Sequence, residues 1–360
     1  MYQRKKTNIF KKNINKIIYK VLKFYRYKLQ FNPLLFSLFT SLFCAIATWS
    51  IWLFAVSPSR VISLFEANWE IASTMIFGSM VAGSTSMGGG AVAFPVLTKV
   101  LQLSPHDAKV FSLAIQSVGM SAASLTIMAM RTKVEWRFIF WASLGGIPGI
   151  FFSSSFLAVL LPSEAIKISF TMMISSFAVV LFASNRTKIR RNLAIPFWGN
   201  RERFISLITG MIGGIISGLV GSGMDIFCFS IMVLLFGLCE KISTPTSVIL
   251  MAINAIAGLI FHKYIIRDFG EPIINYWLTA VPVVVIGAPT GAIIGSLLKR
   301  KTIVSIVIGL ILIELVSSLI LIPISVVSIG FSVFVFVMFC SIYYWMYQSL
   351  GNQSSSNEKN

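Results

Sequence analysis

Two apolar stretches of this sequence carry the same spacing of glycines. The first contains Gly78-x4-Gly83-x4-Gly88 and the second contains Gly213-x4-Gly218-x4-Gly223, so each glycine recurs at one constant offset further along the chain. Ser112 and Ser247, downstream of the two stretches, keep the same offset. Two corresponding halves that are each interrupted by glycine within apolar segments are typical of membrane proteins that work as secondary transporters.

The composition supports a membrane protein. Apolar residues make up 56% of the chain, charged residues 12%, and the mean hydropathy is +0.84, which is far from the balance of a soluble domain. The cysteines form no CxxC pair and have no histidine at metal-ligand spacing, so we interpret them as small core residues. They are Cys44, Cys228, Cys239 and Cys340.

The net charge of +18 would suggest a nucleic-acid partner in a soluble protein, but its distribution favours a membrane surface. Ten of the thirty Lys and Arg residues lie between Arg4 and Lys28, and most others lie in short loops between apolar runs. Apolar residues recur at helical spacing through residues 10–29. We predict that residues 1–33 form a basic amphipathic arm on the anionic inner leaflet. The alternatives are a positive topology signal with no other role, or a regulatory or partner-binding arm.

Eight apolar runs are long enough to span a bilayer, which takes about 20 residues. They are residues 34–56, 105–130, 137–161, 164–184, 243–264, 272–298, 302–321 and 324–347. The two glycine-bearing segments, 70–101 and 204–238, are too long for one untilted crossing and are interrupted midway. Each of them either crosses once as a broken helix or enters and returns on the same face.

Positive charge in the loops distinguishes these alternatives, because cytoplasmic loops are enriched in Lys and Arg. If both glycine segments are re-entrant, thirteen loop charges lie inside and six outside. If both cross fully, most of the charge lies on the wrong side. We therefore predict re-entrant segments and cytoplasmic termini. Each repeat then has three full crossings, so the repeats are inverted and their tips can meet near the midplane.

The predicted fold is an all-α polytopic protein of the cell (inner) membrane. It has two inverted repeats, each a glycine-rich re-entrant or broken helix plus three transmembrane helices, with an extra helix at each end. The divisions are 1–33 (cytoplasmic arm), 34–56 (first transmembrane helix), 70–184 (repeat 1), 185–203 (basic cytoplasmic loop), 204–321 (repeat 2), 324–347 (last transmembrane helix) and 348–360 (disordered tail).

Residues 83–90, Gly-Ser-Thr-Ser-Met-Gly-Gly-Gly, followed by Pro95, resemble the Gly-x-x-Gly-x-Gly-Gly-Gly and Pro pattern of the TauE/SafE family, the sulfite exporters or toluene sulfonate uptake permeases. Residues 218–225 resemble the same motif, and the likeness extends to segments 145–149 and 287–291. It covers roughly residues 70–320. The resemblance implies secondary transport of a small anion such as sulfite, a sulfonate or a related organic acid.

Glycine at such a break exposes backbone N–H groups, and the helix ends formed there direct partial positive charge at the gap. An oxyanion can be held in this way without a lysine. Nearby hydroxyls and amides supply further contacts. The predicted substrate-binding residues are Ser84, Thr85, Ser86, Gly88, Gly89, Gly90, Gln116, Gly221, Ser222, Gly223 and Asn254. The alternative is that the small residues serve only close helix packing.

Two acidic residues lie deep in apolar runs, where a charge is costly and therefore indicates function. Asp225 stands where the family pattern has glycine, and Ser86 is another departure from that pattern. We predict that Asp225 carries a coupling proton. Glu314 is the second candidate for proton coupling, or else a neutral acid hydrogen-bonded between helices.

Enzymatic activity has little support in this sequence. Gly88-x-Gly90-x-x-Ala93 matches part of a dinucleotide fingerprint, but no alternating strands and helices surround it. His106 and His262 have no Ser or Cys partner at a recognisable spacing, and no Walker motif is present. We therefore expect no catalysis, cofactor, metal or nucleic-acid partner. A passive anion channel or a non-transporting membrane subunit is the competing class.

Overall fold

The structure is a computed structural model that describes residues 33–87, 97, 103–186, 191–321 and 326–357. These residues form helices joined by turns and loops, with one isolated β-bridge between Asn192 and Leu238. Gly88, Gly89, Gly90 and residues 1–32 of the predicted arm lie outside the described residues.

The helices are, in chain order, α1 (Pro33–Val56), α2 (Pro58–Ala67), α3 (Trp69–Ser84), α4 (Pro105–Ala129), α5 (Trp136–Phe152, continued by a π-helical turn Ser153–Leu157 and by Ala158–Leu160), α6 (Ser163–Arg186), α7 (Asn200–Val220), α8 (Met224–Leu234), α9 (Glu240–Ile260, continued by a π-helix Phe261–Ile266), α10 (Ile273–Leu297), α11 (Arg300–Leu321) and α12 (Val326–Asn357).

Nine helices of the described part are long and apolar enough to cross a membrane. Eight of them coincide with the predicted spans, and the ninth is α7, the first half of the second glycine segment. Large apolar side chains such as Phe54 (94% exposed) and Leu160 (77%) point outward. Exposing them to water would be unfavourable, whereas contact with lipid is favourable. The chain is therefore a multi-pass membrane protein, as predicted.

Local sequence sets where the helices begin. The Ser104 hydroxyl accepts the backbone N–H of Asp107 at 3.1 Å, and Pro105 follows as the first residue of α4, where its missing N–H costs nothing. At α7 the N–H of Gly199 donates to the Glu202 carboxylate at 2.8 Å. Helix α9 begins at Glu240, which stands at the same offset from the start of α4 as the repeated glycines do from each other.

Helix α8 folds back along α7 and does not continue it. The N–H of Met224 donates to the Ser217 hydroxyl at 3.3 Å, and a Cβ at Gly213 would lie 3.5 Å from Cys228 Sγ. Beyond the end of α8, the N–H of Cys239 bonds to the carbonyl of Asn192, close to where α7 begins. The segment that follows α8 therefore returns to the loop that precedes α7.

Each glycine-bearing helix packs against the other repeat through small residues. Along α5 and α7 the backbone pairs Ala142 with Gly210 and Gly146 with Gly214, so the two helices run parallel. Helices α3 and α10 pair in the same parallel manner, with Met80 against Gly291 and Ser84 against Gly295. A side chain at these glycines would meet the partner backbone, so these glycines allow the helices to pack closely.

The equivalent helices α4 and α9 pack side by side in opposite directions. Gly258, near the end of α9, lies against Leu113, near the start of α4. Ile127 and Ile242, at the other ends, border one cavity. We name the two ends by their side chains: the histidine face holds His106, His262 and Asp268, and the lysine face holds Thr132, Lys133 and Lys241.

The tip of the first glycine segment, residues 88–90, lies outside the described residues, so the meeting of the two tips near the midplane stays a prediction. Gly221 lies beside Lys109 and Ser112, in the first turns of α4. Gly83 and Ser84 line the cavity at the other end of that helix. At 1.5 Å per residue, a helix of 21 residues such as α7 reaches about 30 Å. It therefore extends past the middle of a bilayer.

The predicted disordered tail is helical over most of its length. Helix α12 continues to Asn357, through the segment 348–357 that we expected to be disordered. Adding residues to an existing helix costs far less than starting one, and no proline interrupts this segment. Residues 358–360 lie outside the described part.

Candidate functional site

The break between α7 and α8 depends on two glycines with left-handed backbone conformations. Gly221 has φ of +86° and Gly223 has φ of +112°, values that residues with a side chain adopt only with strain. A Cβ at Gly221 would lie 2.6 Å from the Lys109 carbonyl oxygen, and one at Gly223 would lie 2.6 Å from the Phe170 ring. Glycine is therefore required here for both turning and fit.

Gln116 joins this break to α4. Its Nε2 donates to the Gly221 carbonyl oxygen at 2.9 Å and to the Ser112 hydroxyl at 2.8 Å. The side chain is 3% exposed, and its Oε1 is buried with no hydrogen-bond partner in the described part of the chain. Two of the predicted site residues are thus in direct contact.

Asn254 lies on α9 next to the same break. Its Nδ2 donates to the Leu250 carbonyl at 2.8 Å, while its buried Oδ1 has no partner among the described residues. A Cβ on Gly146 would contact both this Oδ1 and the end of the Met224 side chain. Asn254 therefore faces the start of α8 across the gap that Gly146 leaves open.

Asp225 and Ser222 are buried at the same break, each 1% exposed. Asp225 Oδ1 accepts the backbone N–H of Ile226 at 3.0 Å, at the N-terminus of α8. Its Oδ2 is buried without a hydrogen bond, and it forms no ion pair within the part of the chain the structure describes. The carboxyl group thus uses a helix-terminal N–H of the kind that binds anions.

The three unpartnered atoms around this break, Gln116 Oε1, Asn254 Oδ1 and Asp225 Oδ2, are all oxygens that accept hydrogen bonds. Buried acceptors of this kind are costly unless a donor reaches them. What satisfies them must therefore carry a hydrogen or a positive charge. An anion without a hydrogen to donate cannot satisfy these oxygens.

The predicted residues at the end of α3 form a separate group. The Thr85 hydroxyl donates to the Val81 carbonyl at 2.8 Å, and the Ser86 hydroxyl is buried with no partner in the described residues. Gly83 and Ser84 line a cavity of about 310 Å³ on the lysine face. No hydrogen bond recorded among the described residues joins Ser84, Thr85 or Ser86 to the α7–α8 break.

Glu314 lies apart from both groups. Its Oε1 accepts a hydrogen bond from the Ser318 hydroxyl at 3.2 Å, and Ser318 in turn bonds Thr171 of α6 at 3.1 Å. Lys167, also on α6, interacts with it electrostatically. The hydrogen bond that Glu314 accepts from Ser318 thus stays within α11, while Ser318 makes the contact with α6, and a role of Glu314 in proton coupling stays a prediction.

The histidine face is closed by a cluster that the sequence did not reveal. Asp268 Oδ2 lies 3.1 Å from His106 Nε2, and its Oδ1 lies 2.8 Å from His262 Nδ1. Burial raises the pKa of Asp268, but the hydrogen bonds from the two histidines outweigh it and hold the pKa below its usual range. His106 and Asp268 belong to different halves of the chain, so no local spacing could have indicated the pair.

Ion pairs with buried carboxylates also hold the lysine face together. Arg300 donates to both carboxylate oxygens of the fully buried Glu240, at 2.6 and 3.1 Å, and Arg191 lies 3.9 Å from the same group. Glu135 accepts from Arg137 at 2.8 Å and from the N–H of Ile195 at 3.1 Å. These pairs tie the loop before α7 to α5, α9 and α11.

A family model described as sulfite exporter TauE/SafE matches residues 71–318. This range begins in α3 and ends in α11, and it therefore includes both glycine segments and the central pair α4 and α9. No curated protein and no solved structure matches the chain.

Proposed function

Because this chain belongs to the sulfite exporter TauE/SafE family, we propose that it is a secondary transporter of a small sulfur-containing or organic anion, driven by an ion gradient. The family is one of membrane exporters of sulfite and sulfur compounds, which implies a small anionic substrate. The break between α7 and α8 carries the proposal, because it places glycine backbone and unpartnered polar groups inside a lipid-embedded helix bundle.

The packing of the two halves supports inverted repeats. The equivalent helices α4 and α9 are antiparallel, and each glycine-bearing helix runs parallel to a helix of the opposite repeat. If α4 and α9 both cross the bilayer, their repeats have opposite topologies. Such an arrangement allows one half to rock against the other, which would open the two faces in turn.

Asp225 is our candidate for the coupling group. As a carboxylate it would repel an oxyanion approaching the N-terminus of α8. As a protonated acid it would instead donate a hydrogen bond. The buried oxygens of Gln116 and Asn254 accept hydrogen bonds and have no donor among the described residues. Binding of the anion together with a proton is therefore favoured over binding of the anion alone.

Reconstitution into liposomes tests the proposal. Sulfite, sulfate, small sulfonates and carboxylates would be offered to the purified protein, with uptake and counterflow measured. A transporter saturates and exchanges external for internal substrate. Conductance that rises without saturation would instead indicate a channel, and no flux for any anion of the panel would indicate a non-transporting subunit.

A further inference from the structure

The cavity on the lysine face joins bulk solvent to the end of α3. It lies between the end of α4 and the start of α9, with Ser84 on its wall. Its charged lining residues are Lys133 and Lys241, and no acid borders it among the described residues. Both lysines are exposed, and neither forms an ion pair in the part of the chain that the structure describes.

The acids nearest to these lysines in the chain are already engaged. Glu240, next to Lys241, is fully buried and bonded to Arg300. Glu135, which follows Lys133 closely, bonds to Arg137 and to the N–H of Ile195. The positive charge at the cavity therefore has no counter-ion among the described side chains.

On the histidine face, the positions that correspond to this cavity include a carboxylate as counter-ion. His106 in the first turn of α4 corresponds to Lys241 in the first turn of α9, at the offset that relates the two halves. Asp268 follows Arg267, whose φ is +62°, as Thr132 follows Arg131, whose φ is +53°. On the histidine face the loop thus supplies a carboxylate that bonds the first turn of the central helix. On the lysine face it supplies Thr132 and Lys133 instead.

A buried hydroxyl on the cavity wall also lacks a partner. Thr244 lies one turn beyond Lys241 on α9 and is 6% exposed. Its Oγ1 is itself buried and has no hydrogen-bond partner within the described residues, and Thr244 as a residue borders the cavity. A hydroxyl can donate to an oxyanion at a place where the two lysines attract it.

Building on the proposed function, we propose that Lys133, Lys241 and Thr244 form an anion-binding site at the mouth of this cavity, through which a small oxyanion gains access to the transport path. The anion takes the place that the Asp268 carboxylate holds on the histidine face. A bound anion bridges the end of α4 to the start of α9 and draws the lysine face together, as Asp268 draws the histidine face together.

Cys239 provides a reporter that does not depend on transport, because it lines the same cavity and is half-buried. In a background with Cys44→Ser and Cys340→Ser, its modification by an anionic and by a cationic methanethiosulfonate would be compared. With both lysines present, we expect the anionic reagent to modify Cys239 faster than the cationic one. We expect Lys133→Gln and Lys241→Gln each to lower the anionic-to-cationic rate ratio by about three- to tenfold, and added sulfate to slow modification only while both lysines are present.

Lys301→Gln is the matched control, since Lys301 is exposed in the first turn of α11, next to Arg300, and does not line the cavity. Its ratio should stay at the wild-type value. An unchanged ratio in both cavity variants, or an equal fall in Lys301→Gln, would overturn the site. Because this readout needs no transport, its result stands even if the wild-type protein moves no anion and the proposed function fails.

Transport by the same variants separates binding from turnover. Lys133→Gln, Lys241→Gln and Thr244→Val should each raise the half-saturating concentration of the transported anion on the lysine face by about three- to tenfold. The maximal rate should change less. Thr290→Val removes a hydroxyl on the exposed side of α10 and should change neither value. A fall in maximal rate with unchanged half-saturation in the cavity variants would count against an access site.

Discussion

Gln116 donates a hydrogen bond of 2.9 Å from its Nε2 to the carbonyl oxygen of Gly221, and so joins the central helix of repeat 1 to the break in repeat 2. The bond links distant parts of the sequence and is fully buried. Movement of either repeat against the other must strain or break it. The bond therefore couples the candidate site to the relative position of the two halves.

Replacing Gln116 by methionine keeps the volume of the side chain but removes its donor. The buried carbonyl of Gly221 then loses a partner, which costs about 1–3 kcal/mol, and we expect transport to fall by about tenfold or more. Ser112→Ala removes another partner of the same Nε2 and leaves the bond to Gly221 in place, so it should have a smaller effect. Wild-type uptake by Gln116→Met would show that the break functions without this bond.

Glycine substitutions distinguish the tip from ordinary helix positions. Gly221→Ala and Gly223→Ala introduce a Cβ at positive φ and against Lys109 or Phe170, so we expect loss of transport with the protein still inserted in the membrane. Gly309→Ala on α11 meets nothing within 4 Å, and should transport normally. Both classes would be compared by uptake and by the amount of protein in purified membranes. Equal activities would show that the tip has no role.

Asp225→Asn keeps the shape of the side chain but abolishes its titration. If Asp225 carries the coupling proton, the variant still exchanges substrate but no longer accumulates it under an imposed pH gradient. Glu314→Gln is the matched control, because Glu314 bonds Ser318 where α11 meets α6, and it should keep pH-driven accumulation. The assignment fails if accumulation survives in Asp225→Asn, and loss in Glu314→Gln alone would move the role to that residue.

Thiol labelling in intact cells tests the predicted topology. In a protein without native cysteines, a membrane-impermeant reagent should reach Gly270→Cys, an exposed position close to Asp268 with nothing within 4 Å of its Cβ. It should miss Ala194→Cys, which is exposed on the loop that precedes α7. Lysis should make the second position reactive. Labelling of Ala194→Cys before lysis would contradict a cytoplasmic lysine face and the loop-charge count behind it.

The pH dependence of stability should follow from Asp268. Its pKa is lowered in the folded protein by its bonds to His106 and His262, so the carboxylate contributes stability that is present above its unfolded pKa of about 3.9 and is lost as pH falls through the lower folded value. We expect Asp268→Asn to lower the thermal unfolding temperature at both pH 7 and pH 5, because the carboxylate is ionised at both. If Asp268→Asn and the wild type unfolded at the same temperature at pH 5, ionised Asp268 would be excluded as the source of this stability.

The long apolar runs, the eight predicted spans and the family were all evident in the sequence, because helix length and hydropathy are local properties and the glycine motif is contiguous. The contiguous motif also led to Gly221 and Gly223 at the break. It could not show that Gly83, Gly213 and Gly218 pack inside helices, since that depends on which backbone lies opposite them.

Contacts between distant segments were decided by the tertiary structure alone. Glu240 meets Arg300 within repeat 2, where the first turns of α9 and α11 come together. His106 meets Asp268 only because α4 and α9 pack antiparallel and bring segments of different repeats to the same face. The same packing placed Gln116 against Gly221, but left Glu314 where α11 meets α6, away from the break. Hydropathy and spacing along the chain determined which segments enter the membrane, whereas the side chains that meet there depended on how the two halves pack.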